Sequence, residues 1–143
     1  MKKYLLISCV VLSTLMFLSL KTKYTKIKPG GDEIKIALKK VNDGRPHYYR
    51  IALSEKEIKF FVLMSDDGVA RVAFDACDVC YPEKRGYRQD GDFMICNNCG
   101  QSFHETKINI IRGGCNPAPV DRIFDNQFVY VSIDSLQQGA AYF

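Results

Sequence analysis

Histidine is scarce in this sequence: 143 residues contain two, His47 and His104. There is no Ser/His/Asp arrangement, so nothing supports triad-type nucleophilic catalysis. No glycine-rich loop has the form that cradles phosphate, which removes the common nucleotide-hydrolysing designs. No pair of carboxylates stands in a setting for general acid–base work. Beyond one doubled C-x2-C there is no internal repeat, and there is no low-complexity tract. The length allows one domain with a real core. A hydrophobic content of 47% and a charged content of 25% are ordinary for a globular chain.

Long apolar runs are absent too, except at the N-terminus. Lys2 and Lys3 precede an uncharged stretch from Tyr4 to Leu20. That stretch is at the short limit for spanning a bilayer and long for a signal peptide. No A-x-A-like cleavage site follows, since Leu18-Ser19-Leu20 runs straight into lysines. Residues 1–20 are therefore read as a membrane anchor or signal segment, with an uncleaved anchor preferred. Cys9 is read as an apolar residue inside it. The net charge of +4 is concentrated in Lys21, Lys23, Lys26 and Lys28, then Lys35, Lys39 and Lys40. Beside an apolar segment, such a patch favours anionic lipid headgroups over nucleic acid, although it suits a plain solvated face equally. The short N-terminal tail favours an N-in orientation, with the domain outside the cytoplasm, even though more lysines follow the segment than precede it.

Residues 21–32 read as a linker closing on Pro29-Gly30-Gly31-Asp32. The domain, 33–143, is predicted to be mainly β, a β-rich α+β fold. It is a small antiparallel sheet domain with cysteine knuckles and a short C-terminal helix. Ile34, Ile36 and Leu38 alternate with lysines, a half-buried strand pattern. His47 to Leu53 is a second strand and Ile58 to Met64 a strongly apolar third. Ser65-Asp66-Asp67-Gly68 turns the chain into Val69 to Phe74. Asp90-Gly91 joins Gly86–Gln89 to Asp92–Ile95 as a hairpin. Lys107 to Ile111 is predicted as a strand, as are segments either side of Asp125-Asn126. Asp134 to Phe143 is predicted as one helix, capped by Ser132 or Asp134.

Cysteine carries the chemistry. Five residues form the pattern Cys77-x2-Cys80-x15-Cys96-x2-Cys99-x15-Cys115. Two C-x2-C knuckles present four thiolates to one metal, and thiolates suit zinc, copper(I) and iron–sulfur centres. The hairpin between the knuckles can bring Cys80 and Cys96 together. Gly100 relieves crowding where backbone amides turn toward sulfur. Cys115 exceeds what a closed four-cysteine zinc site needs. Within Gly113-Gly114-Cys115-Asn116-Pro117 it can act as an additional ligand, or it is a buried free thiol. Three readings stay open: a redox or relay metal centre, a structural zinc ribbon serving interaction, and a thiol–disulfide oxidoreductase. His47 and His104 are further ligand candidates. Tyr81, Tyr87, Phe93 and Phe103 can shield a centre or simply form the core. Asp75 and Asp78 read as turn and capping residues.

The run Phe60-Phe61-Val62-Leu63, Asp67-Gly68, Ala73-Phe74-Asp75-Ala76-Cys77-Asp78-Val79-Cys80, continued by Gly86-Tyr87, Gly91-Asp92, Cys96-Asn97-Asn98-Cys99-Gly100 and Gly113-Gly114-Cys115-Asn116-Pro117, resembles the FtrD-like membrane iron–sulfur-containing protein family. The similarity covers roughly residues 45–143. It implies a membrane-attached domain that binds an iron–sulfur cluster or iron and passes electrons in bacterial iron uptake. A membrane-bound iron permease or redox protein is the implied partner. It also implies Cys77, Cys80, Cys96 and Cys99 as ligands, with Cys115 as the fifth member. Many relatives carry a multi-helix membrane portion, whereas this chain offers at most one span.

Overall fold

The apolar stretch at Ile58–Met64 has a structural reason: it is buried on both faces. In a computed structural model, which describes residues 22–143, strand β4 (Lys56–Met64) lies between β3 (His47–Leu53) and β5 (Ala70–Phe74). Successive side chains of a strand point to opposite faces. Ile58, Phe60 and Val62 therefore enter one core, and Phe61 and Leu63 a second. The segment predicted as a membrane anchor, with Cys9, lies outside the described residues. Among the described residues, no helix is long and apolar enough to cross a membrane.

Three small sheets build the domain. The first has the order β1-β3-β4-β5, with β1 at Thr25–Ile27. The second is β2 (Glu33–Ala37), β10 (Phe128–Ser132) and β9 (Ile123–Phe124), in that order. The third is β6 (Tyr87–Asp90), β7 (Phe93–Cys96) and β8 (Ser102–His104). All pairings are antiparallel except β1 with β3, where Thr25 stands opposite Tyr49. The second sheet covers one face of the first through Ile34, Ile36, Val129 and Val131. The third covers the opposite face through Tyr87, Met94 and Cys96. The β4–β5 hairpin is the shared wall between the two cores.

The mainly β reading and the short C-terminal helix match the structure, and four local details differ. The stretch read as linker contains β1, which gains its ladder from β3 rather than from any alternation of its own. β8 is only three residues long and has no signal in the sequence pattern. Lys107–Ile111 is not a strand: a 3-10 turn at Glu105–Lys107 leads into further turns. Asn109 sits there in the left-handed region at φ 66°. Its side-chain amide replaces a backbone ladder, accepting from Val72 N at 2.8 Å and donating to Val72 O at 2.6 Å. The C-terminal helix is also shorter than predicted. It runs Ile133–Gln137 (α1), capped by Ser132 Oγ accepting from Ser135 N at 3.0 Å. Gly139 then packs on the Phe74 ring so closely that a Cβ would collide with it. The chain continues as a 3-10 turn at Ala140–Tyr142.

Phe60 is fully buried and stacks on Tyr49 at 5.6 Å between centroids. Phe60→Ala is expected to cost about 3–5 kcal/mol, measured as a lowered midpoint in chemical denaturation. A cost well under 1 kcal/mol would contradict this packing.

Candidate metal centre

Four pieces of the fold deliver the five cysteines. Cys77 and Cys80 come directly after the end of β5, and Cys96 closes β7. Cys99 completes the tight turn after it, where Gly100 takes φ 77° and its N–H reaches Cys96 O at 2.9 Å. Glycine fits this left-handed position without the penalty a side chain would bring. Cys115 is fixed by the segment on its C-terminal side. Ala118 N donates to Ala76 O at 3.0 Å, Phe74 N donates to Ala118 O at 2.8 Å, and Val120 N donates to Val72 O at 3.0 Å. The exit segment thus lies along β5 and returns Cys115 to the first knuckle. Gly113 and Gly114, at φ 86° and 63°, make that approach.

The five sulfurs gather as two triads. The Sγ atoms of Cys77, Cys80 and Cys96 lie within 4.8 Å of one another, and so do those of Cys80, Cys99 and Cys115. Cys80 belongs to both, and its sulfur stands 3.7 Å from that of Cys115. Cys77 and Cys96 are buried, Cys80 and Cys115 half-buried, and Cys99 exposed. Cys80 N points at Cys77 Sγ from 3.2 Å, an N–H···S contact of the kind that tunes a thiolate site. Burial pushes the Cys96 thiol up to about 11. It raises Cys115 as well, helped by hydrogen bonding with Cys99 and Cys80. Cys99 goes the other way, chiefly because the Gln101 amide points at its sulfur. Cys99 is therefore a readier thiolate than Cys96 or Cys115, whose burial favours the protonated thiol.

The histidines are placed elsewhere. His47 Nε2 pairs with Asp43 Oδ1 at 2.8 Å, and His104 Nδ1 meets Thr106 Oγ1 at 2.9 Å while its ring stands edge-on to Phe93. Neither joins a sulfur triad. Of the four neighbouring aromatics, Tyr87 is in the core beside the cysteines, and Phe103 packs against it in part. Tyr81 and Phe93 are exposed.

Asp75 has a larger role than turn chemistry. Its side chain is fully buried two residues before Cys77. Oδ2 accepts from Lys23 Nζ and from Tyr24 OH, each at 2.5 Å, and Oδ1 accepts from Tyr87 N at 2.6 Å. Lys23 also donates to Tyr87 O at 2.9 Å, as does Tyr48 OH at 2.9 Å. The Tyr87 hydroxyl, its pKa raised by burial, donates to Cys115 O at 2.5 Å. Gly86 is obligatory here, because it sits at φ 61° and a Cβ would strike the Asp75 carboxylate. The sequence signal was the Gly86-Tyr87 pair and the lysine that precedes β1. Beside this network, a cleft of about 340 Å³ opens onto Cys77, Cys80 and Cys96, with Tyr24, Lys59 and Tyr142 on its walls.

A family model described as FtrD-like membrane iron–sulfur containing protein matches residues 41–143. The chain belongs to that family. No curated protein matches it. Among solved structures it is similar to the quaternary ammonium Rieske monooxygenase CntA in complex with an inhibitor, at 13% identity and a TM-score of 0.48. That match covers 73% of this chain and 32% of the other, so this chain spans about a third of its length. A likeness this slight carries neither fold nor cofactor across. The family match begins after Lys23 and Tyr24, so the two residues that close the Asp75 pocket lie outside it.

Lys23→Met leaves the Asp75 carboxylate buried without its cation. The expected loss is roughly 3 kcal/mol in chemical denaturation, at the lower end for a broken buried pair because Lys23 is partly exposed. An unchanged midpoint would show that the N-terminal segment does not hold this site.

Proposed function

We propose that this protein is a membrane-anchored, extracytoplasmic metal-binding component of iron uptake that serves electron transfer or metal relay. The observation that carries the reading is the gathering of five free thiols from four segments into two adjoining triads that share Cys80. Membership in a family described as membrane iron–sulfur proteins supports the choice of metal. The donor set fits an iron–sulfur centre on chemical grounds. Soft sulfur ligands, a buried inner pair and an amide directed at sulfur are the features by which proteins hold and tune such centres. Cys77, Cys80, Cys96 and Cys99 are the proposed ligands, with Cys115 as the fifth. An iron–sulfur centre held there supplies one-electron transfer. The chain's own contribution is to keep Cys77 and Cys96 dry and to present Cys99 at the surface.

The placement of the domain outside the cytoplasm rests on the apolar N-terminal run and its short charged tail. The partner proposed from the family resemblance is a membrane-bound iron permease or redox protein. A structural zinc module is the competing reading. It is favoured by the burial of Cys77 and Cys96 within the second core, where a closed ion would act as a staple.

The test is metal and sulfide analysis of protein prepared without oxygen, together with a visible absorption spectrum. Iron with acid-labile sulfide and an absorption band that bleaches on reduction are expected. One zinc per chain with no visible band would overturn the electron-transfer reading and leave the structural one.

A further inference from the structure

The two sulfur triads share one atom, the Sγ of Cys80. Among the described residues, the four sulfurs of the two knuckles are not the set that gathers. Cys99 groups with Cys80 and Cys115, while Cys77 and Cys96 group with Cys80. A single tetrahedral ion held by the two knuckles would call for the first four cysteines to converge and would leave Cys115 idle. Instead Cys115 completes a triad, and its position is enforced by three backbone hydrogen bonds along β5 and by the Tyr87 hydroxyl on its carbonyl.

We infer that the centre is built for two thiophilic metal ions, one in each triad, with the Cys80 thiolate shared between them. This deepens the metal-centre reading above and rests on it. The inner ion is held by Cys77, Cys80 and Cys96, and the outer by Cys80, Cys99 and Cys115. Charge favours the arrangement. Buried thiolates are costly unless compensated, and the one buried carboxylate nearby, Asp75, already takes Lys23 as its cation. Two cations against five thiolates leave less uncompensated charge than one cation against four. The triads also differ in access. Cys77 and Cys96 are 1% and 2% exposed, whereas Cys99 is open to solvent. The outer ion is therefore the exchangeable one, and the inner ion leaves last.

Cadmium is the probe. The full chain in detergent is stripped of metal, titrated with cadmium without oxygen, and read by native mass spectrometry and cadmium NMR. Two ions per chain are expected, giving two resonances split by coupling through one shared sulfur. Cys99→Ser and Cys115→Ser should each retain one ion and lose the coupling. Neither residue is fully buried, and circular dichroism checks that the variants fold. Cys80→Ser should lose the coupling, and if that variant unfolds, the coupling in the unmodified protein decides alone. One ion per chain, unaffected by Cys115→Ser, would overturn the inference. The outcome separates from the iron–sulfur reading. Two coupled cadmium ions in a protein whose native form lacks sulfide keep the two triads and remove the iron–sulfur centre. Native iron and sulfide that Cys115→Ser leaves unchanged do the reverse.

Discussion

A carboxylate buried beside a set of thiols is the constraint around which this domain is arranged. Asp75 cannot be solvated where it lies, and burying an unpaired charge would cost several kcal/mol, of the order given for ions moved into a protein interior. The chain meets this with three donors from two segments: Lys23 and Tyr24 from one, the Tyr87 amide from the other. Each partner fixes something further. Lys23 and Tyr24 bring in the segment that becomes β1. The Tyr87 amide sets where β6 starts and hence where its partner β7 delivers Cys96, which stands opposite Tyr87 in the ladder. The Tyr87 ring and hydroxyl then reach Cys115. One acid group thus ties the N-terminal segment, the hairpin and the fifth cysteine to the end of β5.

The β4–β5 hairpin makes this possible by being buried twice. A sheet with one wet face could hold a core or a site, but not both on opposite sides. Here one face of the hairpin holds the larger core, with Phe60, Val62, Val72 and Phe74. The other carries Phe61, Leu63 and Ala73 toward the cysteines. The larger core supplies stability remote from the cysteines. The smaller core includes Cys77 and Cys96 themselves, so filling the proposed centre would be coupled to local packing there.

How much of this was legible in the sequence depends on the range of each interaction. The strands at His47–Leu53, Ile58–Met64 and Val69–Phe74 announced themselves by apolar patterning and a turn cluster, both local signals. So did the Asp90-Gly91 hairpin and the Ser132 cap. The five cysteines were visible by spacing, and the meeting of the two knuckles was implied by the hairpin between them, while the place of Cys115 stayed open. The failures are interactions with partners far along the chain. β1 exists because β3 offers it an edge. Asn109 defeats the apolar look of Lys107–Ile111 because its amide finds Val72, 37 residues away. Gly139 ends the helix because of Phe74. Asp75 looked like a turn residue because its cation is 52 residues upstream, in a stretch that reads as linker. The division of five sulfurs into two triads has no sequence signature, since spacing shows which thiols can meet and not how they group.

The Asp75 network also bears on how the site relates to the N-terminal segment. A cysteine cluster on a free tether would move independently of whatever precedes it. Here the chain leaves the described region through residues bonded to the carboxylate next to Cys77, and Lys23 additionally lies 4.0 Å from the centroid of the Tyr48 ring. That cation–π contact and the two hydrogen bonds of Lys23 tie the lysine to the domain. The lysine-rich composition of residues 21–28 therefore contains two kinds of residue. All three described lysines, Lys23, Lys26 and Lys28, are exposed, but Lys23 reaches a fully buried carboxylate. Only residues 21 and 22 stand in the sequence between Lys23 and the segment read as the anchor. The Asp75 network thus joins the start of the described region to the end of β5, where the first two cysteines follow.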